Sequence, residues 1–218
     1  MRIEKKIIAA VYIPAHVETT KYYKFTELNK EIQERLIKEK QDEVTNDEYF
    51  WQDIYCDEFK ESALNTIREK IPGIEGEELQ FSLNCCQGDG VSFTGELGEE
   101  NIASLLSLVY GGNIPRQVNR IIPHMESIFF ERNRHLRYCH EYTVSTEIKI
   151  NGHEYYTEFY PRIEKLLEGL EKQIDQYRVE ICKELEKEGY DLQDYYTSRE
   201  YAIQELSSNE YYESGEVA

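Results

Sequence analysis

The chain is short of cations. Across 218 residues, 25 Lys and Arg stand against 43 Asp and Glu, a formal net charge of −18. A field of that sign repels nucleic acid, anionic lipid and acidic substrates, and it favours an encounter with a basic partner. Direct nucleic-acid binding is therefore not expected. Also missing is any apolar run of the roughly 20 residues that a bilayer-spanning helix needs. The amino-terminal "MRIEKKIIAAVYIPAHV" has too short an apolar core for a secretory signal, so a cytoplasmic location without membrane attachment is expected. Cysteine is scarce: Cys56, Cys85, Cys86, Cys139 and Cys182 form no CxxC pair and read as reduced thiols. Proline and glycine are too few for a linker, and no internal repeat is visible. The simplest organisation is a single α+β domain over residues 1–208 with a frayed acidic tail, 209–218.

Catalytic signatures are lacking too. No serine lies in a GxSxG context, and Cys85 and Cys86 have no histidine beside them in sequence. Carboxylate pairs are so abundant that any spacing suited to acid–base work arises by chance. Of the histidines, only His135 and His140 cluster with a cysteine, Cys139. A strand there would put Cys139 and His140 on opposite faces, whereas a metal needs three or four converging ligands. The chain reads as a non-enzyme with no metal and no cofactor.

What is present is hydrophobic patterning, with 40% hydrophobic residues. "KKIIAAVYIPAH" predicts a buried amino-terminal strand closed by Pro14, and the charged stretch from Phe25 to Lys40 predicts a helix. A second helix is expected from Asp47 to Lys70, with Asn46 as N-cap and Pro72-Gly73 as its stop. "ENIASLLSLVYGG" reads as a short helix stopped by Gly111 and Gly112, and "IPRQVNRIIPHMESIFFERN" as further helical pieces broken at Pro123. Asn151-Gly152 fits a type I′ hairpin turn that sets Ile148 opposite Tyr155 and Val144 opposite Phe159. From Pro161 to Lys187, Ile163, Leu167, Leu170, Ile174, Tyr177, Ile181 and Leu185 form one apolar stripe, with Gly189 as the helix stop. The stripe suits packing on a sheet; homodimerisation through it is the alternative. A short helix near Ser198 to Leu206 follows. The expected fold is α+β: an antiparallel sheet of the amino-terminal strand and two hairpins, covered by helices, with a long carboxy-terminal helix.

The first hairpin surrounds "LQFSLNCCQGDGVSFTGEL". Leu79, Phe81, Leu83 and Cys85 share one strand face, and Val91, Phe93 and Leu97 share one face of the next. A two-residue turn would pair Cys86 with Phe93 and put these sets on opposite sides of the sheet. A three-residue loop, Gly88, Asp89 and Gly90, pairs Cys85 with Phe93 and aligns them. Such a turn could also offer backbone N–H groups to an anion, although a strand rather than a phosphate-binding helix follows it. That leaves open a second reading, a small-molecule or nucleotide binder or an enzyme with its site at Gly88–Gly90 beside the arginine segment of Arg116, Arg120, Arg132, Arg134 and Arg137, where Arg116 and Arg120 are the test positions.

Two regions mix carboxylates with aromatics. From Asp42 to Glu58, Asp42, Glu43, Asp47, Glu48, Asp53, Asp57 and Glu58 interleave with Tyr49, Phe50, Trp51 and Tyr55, and no Lys or Arg interrupts them. The stretch from Asp191 to Glu216 repeats the mixture with Tyr195, Tyr196, Tyr201, Tyr211 and Tyr212. Tyrosine combines large apolar area with a polar tip, and spaced carboxylates imitate a phosphate backbone toward a basic groove. The candidate partner-binding residues are Asp47, Glu48, Trp51, Asp53, Asp57, Asp89, Tyr195 and Tyr196. A solvated acidic face that only keeps the chain soluble is the alternative.

Gln87, Gly88, Asp89, Gly90, Ser92, Phe93 and Gly95, with Thr197, Ser198, Glu200, Asn209, Glu210 and Tyr211 in the same order downstream, carry a resemblance. The chain resembles a family of small phage and prophage proteins that pair a QGDG-x-[SC]-F-x-G turn with a carboxy-terminal TSxE…NEY pattern. It departs from that family at Cys85-Cys86, Tyr201, Gln204 and Glu213. The resemblance implies a phage setting, the host cell cytoplasm and a hairpin-centred fold, and it supplies no catalytic residue. The functional expectation is a counter-defence protein of anti-CRISPR or anti-restriction type that occupies a basic surface of a host defence protein. A homo-oligomeric phage structural protein is a further reading.

Overall fold

The computed structural model describes residues 2–7, 17–84, 88–133, 138–151 and 161–218. In chain order the elements are β1 (Arg2–Ile7), β2 (Val17–Lys24), α1 (Lys30–Asn46), α2 (Cys56–Lys70), β3 (Ile74–Ser82), β4 (Gly90–Gly98), α3 (Glu99–Val109), α4 (Arg116–Ile121), β5 (Met125–Arg132), β6 (Val144–Ile150), α5 (Pro161–Tyr196), α6 (Arg199–Ser207) and β7 (Glu210–Tyr211). The class is α+β with antiparallel sheets and a long carboxy-terminal helix. Two compact units hold the chain: unit 1 is residues 1–55 with 191–218, and unit 2 is residues 56–190. Composition carries no linker signature because both boundaries fall inside helical segments, after Tyr55 and after Tyr190.

Unit 1 contains a three-stranded sheet ordered β1-β2-β7, so the amino-terminal strand has a sheet of its own. Residues 8–16, which complete the expected strand, lie outside the described residues. Phe25, Leu28, Ile37, Ala202, Leu206 and Tyr211 form the core of the unit. The tail expected to fray is instead docked. Tyr211 is fully buried and its hydroxyl donates to the Leu206 carbonyl at 2.8 Å. β7 pairs Tyr211 with Tyr23, and the Ala218 N–H returns to the Glu210 carbonyl at 2.9 Å. The buried ring, the β7 pairing and these hydrogen bonds together offset the cost of ordering the segment.

Unit 2 is a four-stranded antiparallel sheet in the order β3-β4-β5-β6. The first hairpin keeps the expected facing, with Leu79 opposite Phe93 and Phe81 opposite Val91. Its register differs: Phe93 faces Leu79 where Cys85 was expected, and among the described residues Ser82 is the last one paired, opposite Gly90. The connection is thus a longer loop, and a shift by an even number of residues preserves which face each side chain takes. The described second hairpin is β6 up to Asn151; Gly152, Tyr155 and Phe159 lie outside the described residues. β6 pairs with β5, whose sequence "MESIFFER" had suggested helix. Met125, Ser127, Ile128 and Phe130 are buried, and a bulge between Met125 and Ser127 interrupts the two-residue alternation that would have signalled a strand.

α5 runs to Tyr196, well past Gly189. Gly189 is placed for close packing: a Cβ there would stand 2.3 Å from Leu83 Cδ1 and 3.0 Å from Phe59 Cε2. The stripe is used within the unit. Leu167, Leu170, Ile174, Ile181 and Leu185 are buried within this single chain. Hydrogen bonds fix α5 against β6, the last of the described strands in this sheet: the Ile148 N–H donates to Glu171 Oε1 at 3.1 Å, and Arg178 Nη2 donates to the Val144 carbonyl at 2.7 Å. Arg178 is completely buried and paired with Asp175 at 2.7 Å, so its charge is compensated where it is desolvated.

Candidate functional site

The acidic-aromatic stretch of unit 1 begins where α1 stops. Asn46 is the last residue of α1 and does not cap the next helix; its side-chain amide donates to the Asp42 carbonyl at 2.6 Å. Asp47 is the cap, accepting the Phe50 N–H on Oδ1 at 3.1 Å. Trp51 closes the junction. Its indole N–H donates at 2.7 Å to the Val44 carbonyl at the end of α1, which also accepts the Asp47 N–H at 3.3 Å.

The helix that starts here is π-helical from Phe50 to Tyr55. In an α-helix, residues five apart point about 140° away from each other. One π turn, i→i+5, brings Phe50 and Tyr55 to the same side, and both are buried. Phe50 packs edge-on to Trp51 at 5.4 Å and to Tyr196 at 4.8 Å, and Trp51 packs on Tyr55 at 5.3 Å. Tyr201 stands 5.0 Å from Tyr196 and 5.6 Å from Tyr195. Turning those rings inward leaves neighbouring residues outside: Tyr49, just before the turn, is 67% exposed and Ile54, within it, 46%. At the other end of the row of rings Tyr195 is 39% exposed, with its hydroxyl donating to Gln204 Oε1 at 3.0 Å. Glu48 and Asp53 are exposed between Asp47 and Ile54.

The structure therefore sorts the candidates. Asp47, Glu48, Asp53 and Tyr195 are surface or near-surface groups of unit 1. Tyr196 is buried and Trp51 half-buried, and both serve the scaffold. Tyr49 and Ile54, absent from the candidate set, are large apolar groups of this stretch that face solvent. Their signal was the five-residue spacing of Phe50 and Tyr55, which only a π turn rationalises. Asp57 is exposed at the start of α2 and belongs to unit 2.

Asp89, also in unit 2, closes the long β3–β4 loop. Its carboxylate accepts the Ser82 hydroxyl at 2.6 Å and the Asn84 N–H at 2.7 Å. Of the arginine segment set beside that turn, Arg132 stays near it, its Nη2 donating to the carbonyl of Tyr138, whose ring lies against Gly88, while Arg116 and Arg120 do not. Arg134 and Arg137 lie outside the described residues. β4 runs from Gly90 to Gly98 and β5 returns from Ser127 opposite Gly98, so α4, with Arg116 and Arg120, leads into the far end of the sheet. Eight steps along β4 span about 26 Å. Among the described residues no group of three or more His, Cys, Asp or Glu is arranged to hold a metal ion, and no helix is long and apolar enough to cross a membrane.

A family model described as "Domain of unknown function (DUF8835)" matches residues 50–199. The chain belongs to that family. The matched span takes in the π-helical turn, all of unit 2 and the start of α6. No curated protein and no solved structure matches the chain.

Proposed function

We propose that this DUF8835 member is a phage-encoded counter-defence protein, not an enzyme, that inhibits a host nucleic-acid-handling protein by covering its basic surface. One observation carries the reading: the π-helical turn of unit 1 holds Tyr49 and Ile54 out to solvent among Asp47, Glu48 and Asp53, within a run from Asp42 to Glu58 that contains no Lys or Arg. Exposed aromatic and aliphatic groups supply desolvated contact area, and the carboxylates around them complement a cationic groove. The net charge of −18 adds long-range steering toward such a surface. The phage setting rests on the resemblance of the Gln87–Gly95 and Thr197–Tyr211 motifs.

The test is affinity capture from host lysate, followed by a binding assay with the purified partner at ~0.01 M and ~1 M salt, between which the Debye length falls from roughly 30 Å to roughly 3 Å. Affinity is expected to fall steeply over that range. Asp47→Asn, Glu48→Gln and Asp53→Asn together should weaken binding by about tenfold, because each exposed pair contributes about 0.2–1 kcal/mol. Asparagine at position 47 preserves the cap. Affinity that ignores both salt and the triple substitution refutes the mechanism.

A further inference from the structure

Asp and Glu make up 43 of the 218 residues, about one in five, yet the stretch from Asn101 to Met125 contains neither. Unit 2 builds this stretch mainly into α3, a turn and α4. The turn is open: a Cβ on Gly111 or on Gly112 would meet nothing within 4 Å. Leu108, near the end of α3, is 45% exposed. Val118 is the buried residue of α4. Arg116 and Arg120, two positions to either side of it, point about 160° away from it and lie about 40° apart around the helix. Both are exposed, and among the described residues neither guanidinium has an ion-pair or hydrogen-bond partner.

An open arginine pair beyond an exposed leucine suits an anionic surface that also carries apolar groups. A phosphate backbone matches the arginines and leaves Leu108 uncovered. The chain itself holds the fuller complement. From Asp47 to Ile54, unit 1 carries Asp47, Glu48 and Asp53, no Lys or Arg, and the exposed side chains of Tyr49 and Ile54. Carboxylates set among apolar groups answer both parts of the unit 2 surface.

We propose that the Asp47–Ile54 stretch of one copy docks on the Leu108–Arg120 surface of a second copy. Like net charge opposes the encounter, but at about 0.15 M salt the Debye length is about 8 Å, so the groups at the contact outweigh the distant ones. This contact covers the acidic stretch in the free protein. On the function proposed above, a more basic host surface displaces the second copy.

The test is the weight-average mass of the purified full chain by sedimentation equilibrium at about 0.15 M salt, from about 10 μM to about 1 mM, a range that captures weak association. The mass should rise with concentration. Two charge reversals, Arg116→Glu with Arg120→Glu and Glu48→Lys with Asp53→Lys, should each weaken self-association by at least about tenfold. All four positions are exposed, the Asp47 cap is left in place, and an unchanged Tm verifies the fold of each variant. The lysine reversal makes the chain less negative, so an effect of net charge alone would strengthen association where the docking contact requires a loss. Mixed in equal amounts, the two variants should associate at least as tightly as the unaltered chain, because each meets a complementary surface on the other. A monomer at every concentration, association that survives either reversal, or a mixture that stays monomeric overturns the proposal. No host protein enters this experiment, so its failure is separate from failure of the capture assay.

Discussion

Replacing Gly189 by alanine separates two accounts of α5. If Gly189 ended the helix, it would gain nothing from a methyl group and would lose a favoured backbone conformation. In the structure it lies seven residues inside α5, where alanine is worth about 1 kcal/mol over glycine. Against that gain stands an overlap: the new Cβ would meet Leu83 Cδ1 at 2.3 Å and Phe59 Cε2 at 3.0 Å. Overpacking of this kind costs about 1–3 kcal/mol. The expected net is a loss of about 0–2 kcal/mol, read as a lower urea midpoint at unchanged m. Leu83→Ala supplies the control. Alone it should cost about 2–5 kcal/mol, since Leu83 is buried. Combined with Gly189→Ala it should cost less than the sum, by about 1 kcal/mol or more, because the added methyl then fills vacated space. A stabilisation of about 1 kcal/mol by Gly189→Ala, with no coupling to Leu83, would refute the packing argument.

Asp89→Ala removes both hydrogen bonds that close the β3–β4 loop and should cost about 1–3 kcal/mol, with faster exchange of the Asn84 amide as the local readout. Tyr211→Phe leaves the Leu206 carbonyl without its hydroxyl donor and should cost about 0.5–1.5 kcal/mol by urea unfolding. Burial pushes the Cys182 thiol up to about 12, against its ordinary value of 9.0. The folded state thus stays protonated while the unfolded chain ionises, and stability should fall as pH rises from 9.0 to about 12. Cys182→Ala should remove that part of the fall, and iodoacetamide at pH 8 should leave Cys182 unlabelled until the chain is unfolded. Arg178→Ala empties a fully buried site and leaves the Val144 carbonyl without that donor, and should cost about 2–5 kcal/mol, whereas Arg178→Met, which refills the volume, should cost less.

Periodicity was legible where one element face decides the pattern. The alternation of Leu79, Phe81, Val91 and Phe93 gave the correct facing of the first hairpin, and the stripe from Leu167 to Leu185 gave the buried side of α5. Loop length was not legible, because it depends on Asp89 reaching back to Ser82 and Asn84 across the loop. Gly189 looked like a stop because sequence does not reveal the two side chains pressed against it. β5 was hidden by its bulge, and the order of the tail by a single ring, that of Tyr211. The candidate surface was half legible. Composition located the acidic stretch, but only the π turn decided that Phe50 and Tyr55 go in while Tyr49 and Ile54 stay out.

The division of the chain into units has a consequence for the order of events during synthesis. Unit 2 is contiguous, so its sheet and helices become available for folding once residue 190 has left the ribosome. Unit 1 draws its core from Phe25, Leu28 and Ile37 at one end and from Ala202, Leu206 and Tyr211 at the other. Its early helix α1 must therefore wait, apolar side uncovered, through the translation of the whole of unit 2. At the usual 5–20 residues per second that interval lasts roughly 10 to 30 seconds. The dense charge along α1, with Glu31, Glu34, Arg35, Lys38 and Glu39 on its surface, keeps a waiting segment of this kind in solution.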